Sequence, residues 1–479
     1  MSGSGAKNQS IQHGHGAAVL VTVIVTSLAT TFSGSALNLA IPSIGIEFGS
    51  RATLVGWLVT GYILCTAMFS VPFGRIADIT GRRRIFIIGI AVFSAASGAA
   101  FFAQSIGTIL ALRVTQGLGG AMIFSTNTAI LVDAFPAEMR GKVLGYSVAS
   151  VYAGLSVGPV IGGLLTHYFG WRSVFAVTAA VSIPALAVAI SRLPKPQTSM
   201  NIGDGDAGTD DRKGSFNPVG ICMYIAMVFC VMYGFSVISA NPYAWILIVA
   251  GIAQFPIFAY HELHTKKPLI EIRLFARNPN FLLSNLASLF NYGANFAVGY
   301  LLSIYLQLVM GFGAQISGII LICQPVMQAI LSPLAGRLSD KYSPFKLASI
   351  GMACCAGSLF SYVFLGLDAP LFHVLINLTA TGVGFGLFSS PNTNAVMSAV
   401  SPADYSVASS ILATMRSLGH VSSMAVITLI MHMHLGDASF ESSSPEMLMD
   451  TMRTAFIVFS AVCAVGVFIS LQRKRGEPA

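Results

Sequence analysis

Apolar runs of about twenty residues or more recur from residue 17 to residue 472, each closed by a charged or Gly/Pro-rich break. A helical run of about 20 residues matches the roughly 30 Å hydrocarbon layer of a bilayer. In lipid, only helices and closed barrels satisfy the backbone hydrogen bonds internally. Helical runs repeated over the whole length therefore predict a polytopic, all-α membrane protein. Composition points the same way: of 479 residues, 54% are hydrophobic and 9% charged, whereas soluble domains carry roughly 25% charged residues. A soluble enzyme, a nucleic-acid-binding domain, a secreted disulfide scaffold and a single-pass receptor are excluded on this ground.

Reading the runs between their breaks, helices are expected near 17–43, 53–73, 84–103, 107–132, 141–165 and 172–192. Eight more are expected near 217–239, 243–261, 281–305, 314–334, 346–366, 370–394, 406–431 and 453–472, for a total of fourteen. The first run is about thirty residues long, well beyond a signal-peptide core of roughly 7–15 residues, so it is expected to stay in the protein. The chain divides accordingly into a tail 1–16, a six-helix bundle 17–192, a polar linker 193–216, two inserted helices 217–261, a loop 262–280, a second six-helix bundle 281–472 and a tail 473–479. The linker holds four aspartates and no apolar periodicity, the composition of a flexible connection.

The net charge of +8 is explained by topology. With both termini cytoplasmic, 21 of the 26 basic residues fall in inner segments, three (Arg51, Arg172, Arg453) in outer segments, and two (Arg113, Arg416) inside helices. This is the positive-inside distribution of a cell-membrane protein with cytoplasmic ends, and it removes the motive for a nucleic-acid partner. The seven cysteines lie within apolar runs without metal-ligand spacing. The pairs His13/His15 and His432/His434 lack the four ligands of a structural metal site. No GxxxxGK[ST] segment occurs, so neither ATP, a metal nor another cofactor is expected.

Between the second and third runs lies GRIADITGRRRI, with Gly74, Arg75, Asp78, Gly81 and Arg82; a degenerate copy, GRLSDKYSPFK, places Gly336, Arg337 and Asp340 between the tenth and eleventh. The fourth run carries LALRVTQGLGGA around Arg113, and the fifth carries GLSVGPVIGG with Gly154, Gly158, Pro159, Gly162 and Gly163. In this order, these segments resemble the signature loop, the fourth-helix motif and the antiporter helix motif of the major facilitator superfamily. Fourteen helices point to its fourteen-spanner drug:proton antiporter branch. The resemblance implies two six-helix bundles with two helices inserted between them, rocking about a midplane site to export small amphipathic molecules, with proton coupling. Its partners would be the bilayer, a small-molecule substrate and protons.

The residues themselves assign physical roles. Glycines four apart at 154, 158 and 162 form a small-residue stripe that admits a close neighbour, and Pro159 frees a carbonyl and favours a bend. Asp78, among arginines at helix ends, suits a charge latch that gates the protein. All 18 acidic residues fall in loops or at expected helix ends, so the membrane core is read as free of carboxylates. Members of the branch commonly carry an acidic residue in the first helix, where this chain has Ser33. Ionisable groups within spans are functional candidates because their burial is costly. Coupling candidates are therefore Arg113, Asp78, Arg416 and His420, the last two sharing a helix face. Each retains a structural alternative: a backbone hydrogen-bond hub for Arg113 and a neutral packed imidazole for His420.

Polar stripes at helical spacing mark a substrate cavity that is polar but not acidic. Its candidates are Ser33 and Asn38 in the first run, Asn291 and Asn295 in the ninth, Gln324 in the tenth and Asn392 in the twelfth. The absence of a core carboxylate and the two buried arginines leave open a neutral or anionic substrate moved without protons. A non-transporting sensor on the same fold is a further alternative, and no catalytic constellation suggests an enzyme.

Overall fold

The computed structural model describes residues 3–48, 52–193, 217–237, 241, 243–265, 268–270, 272–312, 314–435 and 444–473. The side chains of Asn38, His13, His15 and His432, nearly all of the 193–216 linker, and residues 474–479 lie outside the described residues. Among the described residues, sixteen α-helices follow in order: α1 (Gly3–Glu47), α2 (Ala52–Thr80), α3 (Arg82–Phe101), α4 (Ile106–Ala134), α5 (Ala137–Phe169), α6 (Arg172–Arg192), α7 (Pro218–Val237) and α8 (Ala244–His264). Then come the short α9 (Ile272–Arg277), α10 (Pro279–Ile304), α11 (Ala314–Leu321), α12 (Cys323–Lys341), α13 (Pro344–Tyr362), α14 (Leu371–Ser398), α15 (Tyr405–Leu435) and α16 (Pro445–Leu471).

Among the described residues, twelve helices are long and apolar enough to cross a membrane, with α11 and α12 forming one span, Ile316–Lys341. The sequence-based total was fourteen. The two outside that set are α10 and α15, of 26 and 31 residues. Both exceed the length a bilayer requires; asparagines such as Asn285, Asn291 and Asn295 dilute the hydropathy of α10, while several side chains of α15 lie outside the described residues. The chain is thus an all-helical membrane protein with at least these twelve apolar spans.

Local chemistry sets the helix ends. Gly81 takes φ 105°, a left-handed region costly for other residues, and so divides α2 from α3. Ser105 caps α4 by accepting the Thr108 amide at 3.2 Å, and Asn278 caps α10 through the Phe281 amide at 3.1 Å, satisfying donors that the first helical turn leaves free. Arg83 donates to the Leu193 and Ile190 carbonyls at 3.1 and 2.7 Å, closing the end of α6.

Close approach of small residues governs packing. A Cβ on Gly162 would sit 2.6 Å from the Ala36 Cβ, so the glycine stripe of α5 lies directly on α1. Glycines also join α3 to α4, where Gly119 lies against the Phe93 backbone, and α13 to α14, where Gly351 lies against the Gly384 carbonyl. The helices α1 to α6 pack mutually, as do α10 and α12 to α16. Across the seam between these groups, α5 runs along α12 and α2 along α15, with α7 beside α2 and α15, and α8 on α7.

Candidate functional site

The seam is held shut at the end that carries the two signature loops. Asp78 accepts from Arg82 Nε at 2.9 Å and, across the seam, from the Val407 amide at 3.2 Å. Arg82 also pairs with Asp133 at 2.5 Å, donates to the Pro402 carbonyl on the opposite side, and lies 5.6 Å from the Tyr405 ring centre. The second loop makes a matching contact in the reverse direction. Asp340 accepts the Gly141 and Lys142 amides of α5 at 2.7 and 3.0 Å, and Arg337 donates to the Tyr146 hydroxyl at 2.9 Å. Gly336 and Gly141 stand backbone to backbone, which lets α5 and α12 come this close. Gly74 sits in the body of α2, and Arg75 is half-buried outside this network.

Beyond the latch along each helix lies a cavity of about 1000 Å³. That volume is at the upper end of small-molecule sites. Its lining comes from both groups of helices: Tyr62 and Thr66 of α2, Asn127 of α4, Tyr152 and Ser156 of α5, Tyr292, Asn295 and Phe296 of α10, Gln324 and Gln328 of α12, Phe385 of α14, and Arg416 and His420 of α15. Among the described residues, no aspartate or glutamate lines it.

A hydroxyl cluster joins the two sides. Tyr152 and Tyr292 share a hydrogen bond of 3.2 Å, and Ser389 lies 3.4 and 3.0 Å from their hydroxyls. Phe385 meets both tyrosine rings edge-on at 5.6 and 4.9 Å. Arg416 stands 5.0 Å over the Tyr292 ring and donates to Thr393 Oγ1 at 2.7 Å, while its Nε is buried without a partner among the described residues. His420 stacks on Phe296 at 4.6 Å.

Several sequence-derived candidates stand behind this wall rather than in it. Arg113 is fully buried within the first group, donating to the Leu58 carbonyl at 2.9 Å, Gln116 Oε1 at 2.8 Å and Ser33 Oγ at 3.3 Å, with Tyr62 stacked 4.4 Å away. Ser33 is therefore a partner of Arg113, not a lining residue. Asn291 is fully buried and accepts from Asn295 Nδ2 at 2.6 Å, so only the second of the pair reaches the cavity. Asn392 donates to Ser288 Oγ at 2.8 Å and accepts from Arg473 at 2.6 Å. Arg473 also donates to Ser284 Oγ at 3.2 Å, and burial lowers its pKa to about 10. For Ser33 and Asn392 the physical reason is shared: a polar face in lipid can be satisfied by a neighbouring helix as well as by a water-filled cavity, whereas Asn291 turns to Asn295 one turn along α10.

Of the helix 5 motif, Leu155, Ser156 and Pro159 line the cavity, while Gly154, Gly158 and Gly162 contact α1. Tyr152, Tyr292, Phe296 and Phe385 were missed in the sequence, since aromatic residues inside an apolar run look the same whether they face lipid, core or substrate. The hydroxyls of Tyr152 and Tyr292, which need partners when buried, were the available signal.

The family model described as Major Facilitator Superfamily matches residues 23–424 and again 326–478. The riboflavin transporter RibZ of Clostridioides difficile is 27% identical over 454 residues, covering 95% of this chain and 96% of that protein. The multidrug resistance protein Stp of Mycobacterium tuberculosis is 26% identical over 418 residues, 85% of this chain and 75% of its own. The methylenomycin A resistance protein of Streptomyces coelicolor is 26% identical, covering 89% of each chain. In fold, the chain is similar to the human organic anion transporter MFSD10 (TETRAN), with TM-score 0.65 at 12% identity over 96% of this chain and 99% of the other.

Proposed function

Since this chain belongs to the major facilitator superfamily, we propose that it is a secondary exporter of small amphipathic molecules that works by alternating access at the cell membrane. The observation that carries this reading is the paired latch. Asp78 and Asp340, one from each signature loop, cross the seam at one end, and a large two-sided cavity lies beyond them. A seam closed at one end over a central cavity is one half of an alternating-access cycle. The basic residues favour that end as the cytoplasmic one, with both termini inside. The state would then be the one that releases substrate outward. In this reading α10 and α15, long enough at 26 and 31 residues, also cross the membrane, giving fourteen spans. The relatives named for multidrug and methylenomycin A resistance support export.

Proton coupling belongs to this proposal, with Asp78 at the latch and His420 in the cavity as the groups to carry it. A second reading, uncoupled movement of neutral or anionic compounds, is favoured by one observation: Arg416 lines the cavity while, among the described residues, no carboxylate does. A guanidinium at the wall disfavours a cationic substrate by like-charge repulsion.

Purified protein in liposomes with an imposed pH gradient and a trapped pH dye separates these readings. Ethidium, riboflavin and fluorescein serve as cationic, neutral and anionic probes. Proton release that accompanies uptake of any probe supports a coupled exporter. Probe flux without proton movement supports the second reading, and no flux of any probe in either orientation contradicts both.

A further inference from the structure

The inserted helix α7 does not sit apart from the two groups of helices. Tyr224, early in α7, shares a hydrogen bond of 3.0 Å with Thr414 of α15. Tyr233, late in α7, stacks on Trp57 of α2 at 5.4 Å and on Phe229 at 5.1 Å. Trp57 lies near the start of α2, at the opposite end from Asp78, where α2 and α15 meet at the latch. The two helices are thus joined at the latch end, and α7 bridges them toward the other end. Through that seam α7 passes Met232 and Phe235 into the cavity wall, and Met232 is 1% exposed. Its partner α8 behaves differently: Val249, Ile252 and Phe255 are 53%, 60% and 53% exposed, the pattern of a lipid-facing surface.

We propose that α7 is the third wall of the substrate cavity, sealing the α2/α15 seam against the bilayer, and that Phe235 and Met232 are specificity-determining residues that contact the apolar or aromatic face of the substrate. The wall is a geometric statement independent of transport; the specificity role rests on the exporter reading. A seam between two rocking groups must change width. A thioether and an aromatic ring at that position adapt to different outlines without offering a competing polar group.

The wall is tested by accessibility in protein freed of its seven native cysteines by alanine substitution. Phe235→Cys is expected to react with a cationic, water-soluble methanethiosulfonate about tenfold faster than Ile252→Cys or Phe255→Cys. Equal rates at all three positions overturn the wall. Should the cysteine-free protein fail to fold, iodide quenching of Phe235→Trp against Phe255→Trp in the otherwise native chain reads the same difference.

Specificity is read by fluorescence polarisation of ethidium, riboflavin and fluorescein on nanodisc-embedded protein. Phe235→Ala is expected to change the ratio of affinities among the probes that bind by about 5–30-fold, the range for losing one aromatic contact. A uniform change across them makes Phe235 structural and overturns the role. Failure of all three to bind wild-type protein counts against the exporter reading and the specificity role, and leaves the accessibility result to decide the wall.

Discussion

Asp340→Asn tests the latch directly. The carboxylate accepts two backbone amides of α5, at 2.7 and 3.0 Å, from the far side of the seam. Asparagine keeps one acceptor and turns an NH₂ group toward the second amide, so one charge-assisted bond is lost and a donor faces a donor. Hydrogen bonds to charged groups contribute about 1.5–3 kcal/mol; for this half-buried carboxylate the loss is taken at about 1–2 kcal/mol. That corresponds to about a 5–30-fold shift toward a latch-open arrangement. A protein about 99% closed would then be about 77–95% closed. Spin labels at Glu138→Cys and Lys341→Cys, on α5 and α12, report the width of the latch end by electron–electron distance measurement. The variant should show a second, longer distance, and Asp340→Glu should restore part of the short one. An unchanged distance distribution in Asp340→Asn would refute the claim that this contact holds the seam.

Three further outcomes follow from the packing and charges. Gly162→Ala places a methyl group 2.6 Å from the Ala36 Cβ and is expected to cost about 1–3 kcal/mol, lowering the thermal unfolding midpoint; an unchanged midpoint argues against close α1–α5 packing. Arg113→Gln removes the bond to the Leu58 carbonyl and leaves a buried acceptor unpaired, at about 1–3 kcal/mol. Its signature should be lost stability at every pH with no selective change among transported charges, and a change confined to substrate charge would make Arg113 a binding residue instead. The Trp171 indole, then Arg172, hold the Glu47 carboxyl below its usual 4.5. Its stabilisation should be fully present above that value and lost as pH falls through the lowered one. The gap in unfolding midpoint between wild type and Glu47→Gln should therefore close on acidification, and a gap that widens would reverse the assignment.

The glycines illustrate how much of the fold was legible. Gly154, Gly158 and Gly162 announce a close helix contact because spacing fixes a shared face, but only the folded chain names α1 as the neighbour. The loops around Asp78 and Asp340 were readable as a repeated pair; that each grips the opposite side of one seam was not, since Val407 and Lys142 contribute only backbone amides that any residue but proline could supply.

By itself the sequence determined that the chain spans a membrane as helices, where those helices run, and which loops repeat, because lipid leaves the backbone no alternative and period fixes the face. Tertiary structure decided which polar residues meet the cavity and which meet another helix. Asn291 and Asn392 are chemically indistinguishable from Asn295 in the chain, yet Asn392 is held by Ser288 and Arg473, Asn291 is buried against Asn295, and Asn295 lines open space. In the membrane an unpaired polar group takes any partner within reach, and which partner is within reach is settled only once the helices have packed.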